Sequence, residues 1–323
     1  MIYTLTLNPS LDYVLDLPRF TLGRVNRAGR AALFPGGKGL NVSIMLGRLG
    51  VPSMALGFAA GPEGERLRQL VRAQGVDEKL LALPSGSTRI NVKLRAGQET
   101  DINAPGPEIP PQAVEQLLAR LDSLSQGDVL VLAGSIPPGL PPSFYGDVLH
   151  RLQGRGVRGV VDAQGEALRQ ALPQRPFLIK PNRTELEELA GRPLQDARRV
   201  QQAAQALQRQ GAENVLVSLG GEGALLLDSL GRVHTAPAPK GEVKGAVGAG
   251  DSMVAGFLAG LLAGEQPAAE GRGDKGRAPD HIDSISRAFR MGLAAGSATA
   301  FSDWLASGAE VLQLMGEGVA NLG

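Results

Sequence analysis

Short apolar runs alternate with amphipathic stretches along most of this sequence, and that alternation constrains the fold more than any other feature. The runs Ile2–Leu7, Ser53–Phe58, Asp128–Leu132, Val157–Val161, Phe177–Ile179 and Asn214–Ser218 are rich in Val, Ile and Leu and too short for helices. They read as buried strands. Between them, helical periodicity covers about Gly39–Leu49, Glu63–Gln74, Pro111–Leu124, Pro142–Gln153, Thr184–Ala190 and Asp196–Gln208. Pro110 and Pro111 stand where the third of these helices begins, a position that tolerates a missing N–H. Strands joined by helices of this length form βαβ units, so the expected fold is α/β: a doubly wound, mostly parallel sheet flanked by helices. The 323 residues carry no internal repeat and are expected to form one such domain over 1–323.

Two pairs of runs break the rhythm. Leu11–Leu17 with Arg24–Phe34, and Thr88–Arg95 with Glu99–Asn103, read as strands with no helix between them. The segment TRINVKLRAGQETDIN alternates apolar and polar residues around Ala96–Gly97, a hairpin signal. These stretches, about 11–34 and 86–104, are expected to form a small β-sheet lid, although an edge extension of the main sheet fits the same pattern. Gly264–Pro279 is polar, rich in Gly and Pro and without period, and reads as a surface loop.

Charge and composition exclude several classes of function. The 33 basic and 32 acidic residues leave a formal charge of +1, so no global field draws the chain to nucleic acid or an anionic membrane. With no Cys there is no disulfide framework, thiolate nucleophile or Cys-based zinc site, and the three His lack metal-ligand spacing. No G-x-S-x-G elbow of a hydrolase occurs. No apolar run approaches the roughly 20 residues needed to span a bilayer. The first residues, MIYTLTLNPS, lack the basic start of a signal peptide, so the expected location is the cytoplasm. Gly, at 44 residues, is roughly twice its usual share, as in proteins that bring backbone close to phosphate.

Four motifs carry the chemistry. In GAVGAGDSMVAGFLAGLL, the turn Gly248-Ala249-Gly250 leads into Asp251 and a long apolar helix. The N–H groups of such a turn and the helix dipole suit negative charge on a transferring phosphoryl group. Asp251 fits either a helix cap or a base that takes a proton from an attacking hydroxyl. In PGGKGLNVSIMLGRLG, a second Gly turn opens a helix with Lys38 in the loop and Asn41 in the first turn, matching neither a Walker A loop nor a dinucleotide fingerprint. It suits a polyol or phosphorylated polyol, or else only a helix start with a solvated Lys. In LIKPNRTELEEL, Asn182 and Glu185 offer oxygen ligands to Mg²⁺, usually through water, or an ordinary capping box. In VSLGGEGALLL, a strand ends in Ser218 and a Gly-rich turn that admits a nucleotide or closes a plain hairpin.

The order GGKGLN, KPN..E, SLGGEGA, VGAGD resembles the ribokinase-like (PfkB) carbohydrate kinase family over nearly the whole chain. Within that family, TLTLNPSLDYV, TRINVK, AGSIPPG and VGAGDSMVAG are most similar to the branch that phosphorylates fructose 1-phosphate with ATP and Mg²⁺. Tagatose-6-phosphate kinases and minor 6-phosphofructokinases are near relatives of that branch. The resemblance implies that Asp251 is the general base and that Gly248, Ala249 and Gly250 form the anion hole. It implies that Asp12, Gly36, Gly37 and Asn41 hold sugar hydroxyls, and that Lys38, Arg89 and Asn103 contact the phosphate already on the sugar. Ser135, in AGSIPPG, would face the same site. Lys180, Asn182, Glu185, Ser218, Gly220, Gly221 and Gly223 would line the ATP and Mg²⁺ region, the metal being met by Asn182 and Glu185 through water. The lid would close on the sugar phosphate and pair two subunits as a homodimer. One departure is visible: Gly245-Ala246 stands where the family usually carries hydroxyl or polar side chains before the VGAGD turn. A reading from a different class, a non-catalytic sugar-phosphate sensor on the same scaffold, has no need of the base and metal residues.

Overall fold

The computed structural model describes residues 1–265 and 281–320. The chain groups into two compact units, Met1–Ile44 with Pro52–Gly159, and Met45–Val51 with Val160–Gly323. The first carries β1 (Ile2–Thr6), β2 (Ser10–Asp16), β3 (Arg30–Gly36), most of α1 (Lys38–Arg48), β4 (Ser53–Ala60), α2 (Gly61–Ala73) and β5 (Asp77–Leu83). It continues with β6 (Arg89–Ala96), β7 (Gln98–Ile102), α3 (Pro111–Leu121), β8 (Val129–Ala133), α4 (Phe144–Arg151) and the start of β9 (Arg158–Asp162). The second carries α5 (Gly165–Ala171), β10 (Leu178–Ile179), α6 (Arg183–Ala190), α7 (Ala197–Arg209), β11 (Asn214–Ser218), β12 (Ala224–Leu227) and β13 (Val233–Ala236). It ends with α8 (Ala249–Glu265), α9 (His281–Ala300) and α10 (Gly308–Ala320).

Nine strands form one sheet in the order β13-β12-β11-β10-β9-β8-β1-β4-β5. The pairs β1–β4, β1–β8, β4–β5, β9–β10 and β10–β11 are parallel, and β11–β12–β13 are antiparallel. This is the expected mostly parallel α/β sheet. The inner strands are apolar because helices cover both faces: Val129–Ala133 and Val215–Val217 are fully buried. In the second unit, α8 is buried and apolar all round, with Val254, Phe257, Leu258 and Leu261 in the core, and its Gly256, Gly260 and Gly264 lie against α9, where an added Cβ would meet Ala295, Ala288 and Ser284. Among the described residues no helix is long and apolar enough to cross a membrane.

A second sheet of four strands, in the order β3-β2-β6-β7, stands apart from the first, as the lid segments led one to expect. Gly97 turns β6 into β7 with φ +79, between the paired residues Ala96 and Gln98. Its faces differ in kind. One carries Asp12 beside Asn91 and Lys93 beside Asp101, whereas the other carries Leu11 beside Ile90 and Tyr13 beside Val92.

The structure departs from the sequence reading at several places. The strand expected over Arg24–Phe34 is confined to Arg30–Gly36. Asn26 explains the difference, because its side-chain amide takes Thr21 N–H and donates to the carbonyls of Thr21 and Arg24, using groups that a ladder would need. The strand β5 was hidden by its charged start, Asp77-Glu78-Lys79. It is the edge strand of the sheet, and Glu78 is buried there in ion pairs with Arg68 and Arg72 of α2 at 2.7 and 2.6 Å. Of the loop expected at Gly264–Pro279, Gly264 and Glu265 belong to α8; residues 266–279 lie outside the described residues.

The turn between β12 and β13 is organised by the buried carboxylate of Asp228. Burial alone would raise its pKa, but hydrogen bonds from His234 Nε2 (2.9 Å), Arg232 N–H and Nε, and Leu230 N–H outweigh burial and hold it below the ordinary carboxylate value. A carboxyl with a depressed folded pKa stabilises the fold above its unfolded pKa and loses that contribution as pH falls through the folded value. Asp228→Asn is therefore expected to cost at least about 2 kcal/mol at pH 7 in urea unfolding. The gap to the unsubstituted protein should narrow as pH falls through the depressed folded pKa, since both chains then carry a neutral group. A gap independent of pH contradicts the ionic account.

Candidate active site

In the first unit, the residues expected to meet a sugar gather around the start of β2 and the turn from β3 to α1. Asp12 and Gly36 lie on neighbouring strands, paired through Ser10–Gly36 and Asp12–Phe34. A Cβ on Gly36 would fall 2.4 Å from Asp12 Cγ and 2.5 Å from Ser10 Oγ, so only Gly lets the carboxylate lie against this backbone. Ser10 Oγ donates to Asp12 Oδ1 at 2.7 Å, and Asn91 Nδ2 donates to the same oxygen at 3.1 Å. Gly37 follows, and Lys38 opens α1 with its stem over Gly134. Asn41 is buried one turn on, its N–H bonded to Gly37 O. A carboxylate, an amide and a helix N-terminus together suit a polyol, whose hydroxyls both donate and accept.

Arg89 sits beside this group, at the start of β6. Its Nε and Nη2 donate to Asn8 O at 3.2 and 2.8 Å, and Nη1 donates to Ala104 O at 3.1 Å. Three of its five N–H groups thus hold backbone, and two remain for an anion. Burial lowers its pKa from the ordinary value, with the charge of Asp12 acting in the opposite direction. Asn8 Nδ2 bonds Pro105 O at 2.9 Å, so the segment after β7 is held from two sides. Asn103 is exposed on that segment, and Ser135 is exposed just past β8.

In the second unit, the phosphoryl-transfer motifs converge on the N-terminus of α8. Gly248 has φ +78 and caps the helix start, where Ser252 N–H bonds Gly248 O at 2.8 Å. Asp251 is buried in the first turn. Lys180, at the end of β10, reaches the same place: a Cβ on Gly250 would lie 3.0 Å from Lys180 Nζ. The ammonium is paired with Asp162, at the end of β9, at 3.5 Å, and both side chains are buried. A helix N-terminus with a cation behind it is a site for a doubly charged anion.

Next to it, Asn182 and Glu185 form the capping box of α6: Glu185 N–H bonds Asn182 Oδ1 at 2.8 Å, and Asn182 N–H bonds Glu185 Oε2 at 2.9 Å. Gln164 Nε2 donates to Glu185 Oε1 at 2.6 Å. Each carboxylate oxygen keeps a lone pair, which suits contact with a metal ion through water. No group of three or more His, Cys, Asp or Glu is poised for a metal among the described residues. Ser218 bridges to Asn182 at the end of β11. Gly220 and Gly221 face open space, whereas Gly223 has a structural task, since a Cβ there would fall 2.0 Å from Ala236 O on β13. Ser10, Asn91, Asp162 and Gln164 were not legible as partners of the site. Their signal is polar character at positions where a buried strand or strand end would otherwise be apolar.

The model of the pfkB family of carbohydrate kinases matches residues 5–302 of this chain. The 1-phosphofructokinase of Bacillus subtilis (strain 168) is 43% identical over 98% of this chain and 98% of its own length. That of Escherichia coli (strain K12) is 39% identical over 80% of this chain and 83% of its own. Phosphofructokinase-2 from Escherichia coli, solved in complex with substrates and products, has a TM-score of 0.88 and 31% identity. That match covers 98% of this chain and 99% of the other.

The Lys180–Asp162 pair gives a test of the second unit alone. Removing the cation in Lys180→Met strands a buried carboxylate, and the expected loss is about 3–5 kcal/mol in urea unfolding. Adding Asp162→Asn should recover most of that loss. Simple addition of the two single losses would show that the groups are not coupled.

Proposed function

This chain belongs to the pfkB family of carbohydrate kinases, and from that premise we propose that it transfers the γ-phosphoryl group of MgATP to the 6-hydroxyl of fructose 1-phosphate. The products are fructose 1,6-bisphosphate and ADP. The observation that carries this reading is the company Asp12 keeps in the first unit. A carboxylate seated on Gly36 faces a polyol, and Arg89 beside it and Lys38 in the Gly turn supply countercharge for a phosphate already on that polyol. An unphosphorylated sugar needs no such cations. The names carried by relatives that align along the whole chain support the same acceptor.

In this reading Asp12, Gly36, Gly37 and Asn41 hold the sugar hydroxyls. Lys38, Arg89 and Asn103 meet the phosphate on carbon 1, and Ser135 borders the acceptor. Asp251 takes the proton of the 6-hydroxyl as that oxygen bonds to the γ-phosphorus. The bond to the β–γ bridging oxygen breaks, and its electrons leave with ADP. The N–H groups of Gly248, Ala249 and Gly250, with Lys180 behind them, stabilise the charge spread over the phosphoryl oxygens. Asn182 and Glu185 would hold Mg²⁺ through water, and the ion would supply charge neutralisation at the ATP phosphates. Ser218, Gly220 and Gly221 line the nucleotide, with Gly223 shaping their turn. The protein works in the cytoplasm, where ATP and phosphosugars meet.

A second acceptor within the family, fructose 6-phosphate, is favoured by the likeness to phosphofructokinase-2, and tagatose 6-phosphate differs from it at one stereocentre. Initial rates of ADP release with MgATP distinguish the three. The expected result is a kcat/KM at least about tenfold higher for fructose 1-phosphate. A preference for either 6-phosphate would move the acceptor and keep the mechanism, and turnover of none would favour a non-catalytic sensor. In the same assay Asp251→Asn should lower kcat about 10²- to 10⁴-fold with little change in KM for ATP. Retained turnover would remove Asp251 from the role of base.

The apolar face of the small sheet is the proposed dimer surface. Tyr13, Ile90 and Ile102 are 39%, 47% and 55% exposed there, beside Leu11 and Val92 on the same face. Sedimentation velocity should find a dimer for the native chain and a monomer for Ile90→Asp, which places a charge at the centre of the face. A dimer retained by the variant would put the interface elsewhere.

A further inference from the structure

Asn91 lies in the middle of β6, 4% exposed, directly opposite Asp12 in the register of β2 and β6. The buried amide meets three different partners. Its Nδ2 donates to Ser10 Oγ and to Asp12 Oδ1, each at 3.1 Å, while Oδ1 of the amide accepts Ala104 N–H at 3.2 Å. Ser10 Oγ, held by Asn91, donates its own hydrogen bond to Asp12 Oδ1 at 2.7 Å. Both donors therefore fall on the same oxygen of Asp12. The other, Oδ2, takes no hydrogen bond from the described residues.

The backbone of Gly36 closes the remaining side of the carboxylate, which leaves it little freedom to turn. Ala104 follows Asn103, so the same amide that orients Asp12 also fixes the segment on which Asn103 stands. Neither the capping of a strand nor core packing calls for a polar residue here: an apolar side chain would fit a buried strand position as well.

We propose that Asn91 is a positioning residue for the acceptor: with Ser10 it loads one oxygen of Asp12, so that Oδ2 alone is presented to the sugar hydroxyls, and it ties that carboxylate to the Asn103 segment. The inference rests on the assignment of Asp12 to the sugar. It predicts a defect in acceptor binding and none in nucleotide binding or in the transfer step.

The test is steady-state kinetics of Asn91→Ala and Ser10→Ala on the sugar phosphate that the unsubstituted protein turns over best. Loss of these hydrogen bonds to a charged group should raise KM for the sugar phosphate at least about tenfold in Asn91→Ala, and less in Ser10→Ala. Meanwhile kcat should move less than about threefold and KM for ATP stay unchanged. A purely structural role gives a different signature: a smaller active fraction lowers kcat and leaves both KM values where they were. That outcome, or unchanged kinetics in both variants, overturns the inference. Should Asn91→Ala fail to fold, Ser10→Ala carries the decision alone, because it removes only a hydroxyl. The acceptor panel on the unsubstituted protein keeps the two claims apart. Turnover of a sugar phosphate with KM unmoved in the variants defeats the positioning role only, and no turnover of any defeats both.

Discussion

A parallel sheet sends every strand-to-helix connection out at one edge, and the chemistry of this chain depends on that constraint. In the first unit, Asn8 follows β1 and Ser135 follows β8; in the second, Asp162, Lys180 and Ser218 stand at the ends of β9, β10 and β11. None of these residues is near the next in sequence. Within each unit such residues share an edge because right-handed βαβ connections leave no other place for the loops. The helices then add what side chains lack: α1 and α8 both begin at glycine turns, where exposed N–H groups and the dipole attract negative charge.

The two units divide the electrostatic work. In the proposed reading the first has to hold a neutral polyol and an anion together, with one carboxylate, Asp12, and the cations of Arg89 and Lys38. Arg89 is already committed through three N–H groups to the carbonyls of Asn8 and Ala104, so it is both brace and charge. The second unit keeps a buried ion pair, Lys180 with Asp162, against the start of α8. Such a pair contributes little to stability in a low-dielectric setting. Its value here is a cation held at a helix N-terminus, beside a buried carboxylate that can accept a proton.

The order of the strands and the glycine motifs was legible because both are local: a run of apolar residues or a Gly-Gly-Lys-Gly turn declares itself within ten residues. Asn182 and Glu185 were legible in two senses at once, and the structure realises the capping box while leaving lone pairs for a ligand. The partners of Asp12 were hidden, because Ser10 and Asn91 are 81 residues apart and meet only through strand pairing. The edge strand β5 was hidden by charges that α2 neutralises. The long loop before β3 was hidden by Asn26, whose amide substitutes for a ladder. In each case the missing information was a tertiary partner for a polar group.

The central claim is that a phosphoryl group moves from ATP to a carbon-6 hydroxyl without escaping to water. Phosphorus NMR of fructose 1-phosphate and MgATP incubated with the protein tests this directly. The account predicts two phosphomonoester signals, each split by a neighbouring CH₂, growing in step with ADP while inorganic phosphate stays flat. Inorganic phosphate formed in step with ADP, or no change in the ester signals, would contradict it.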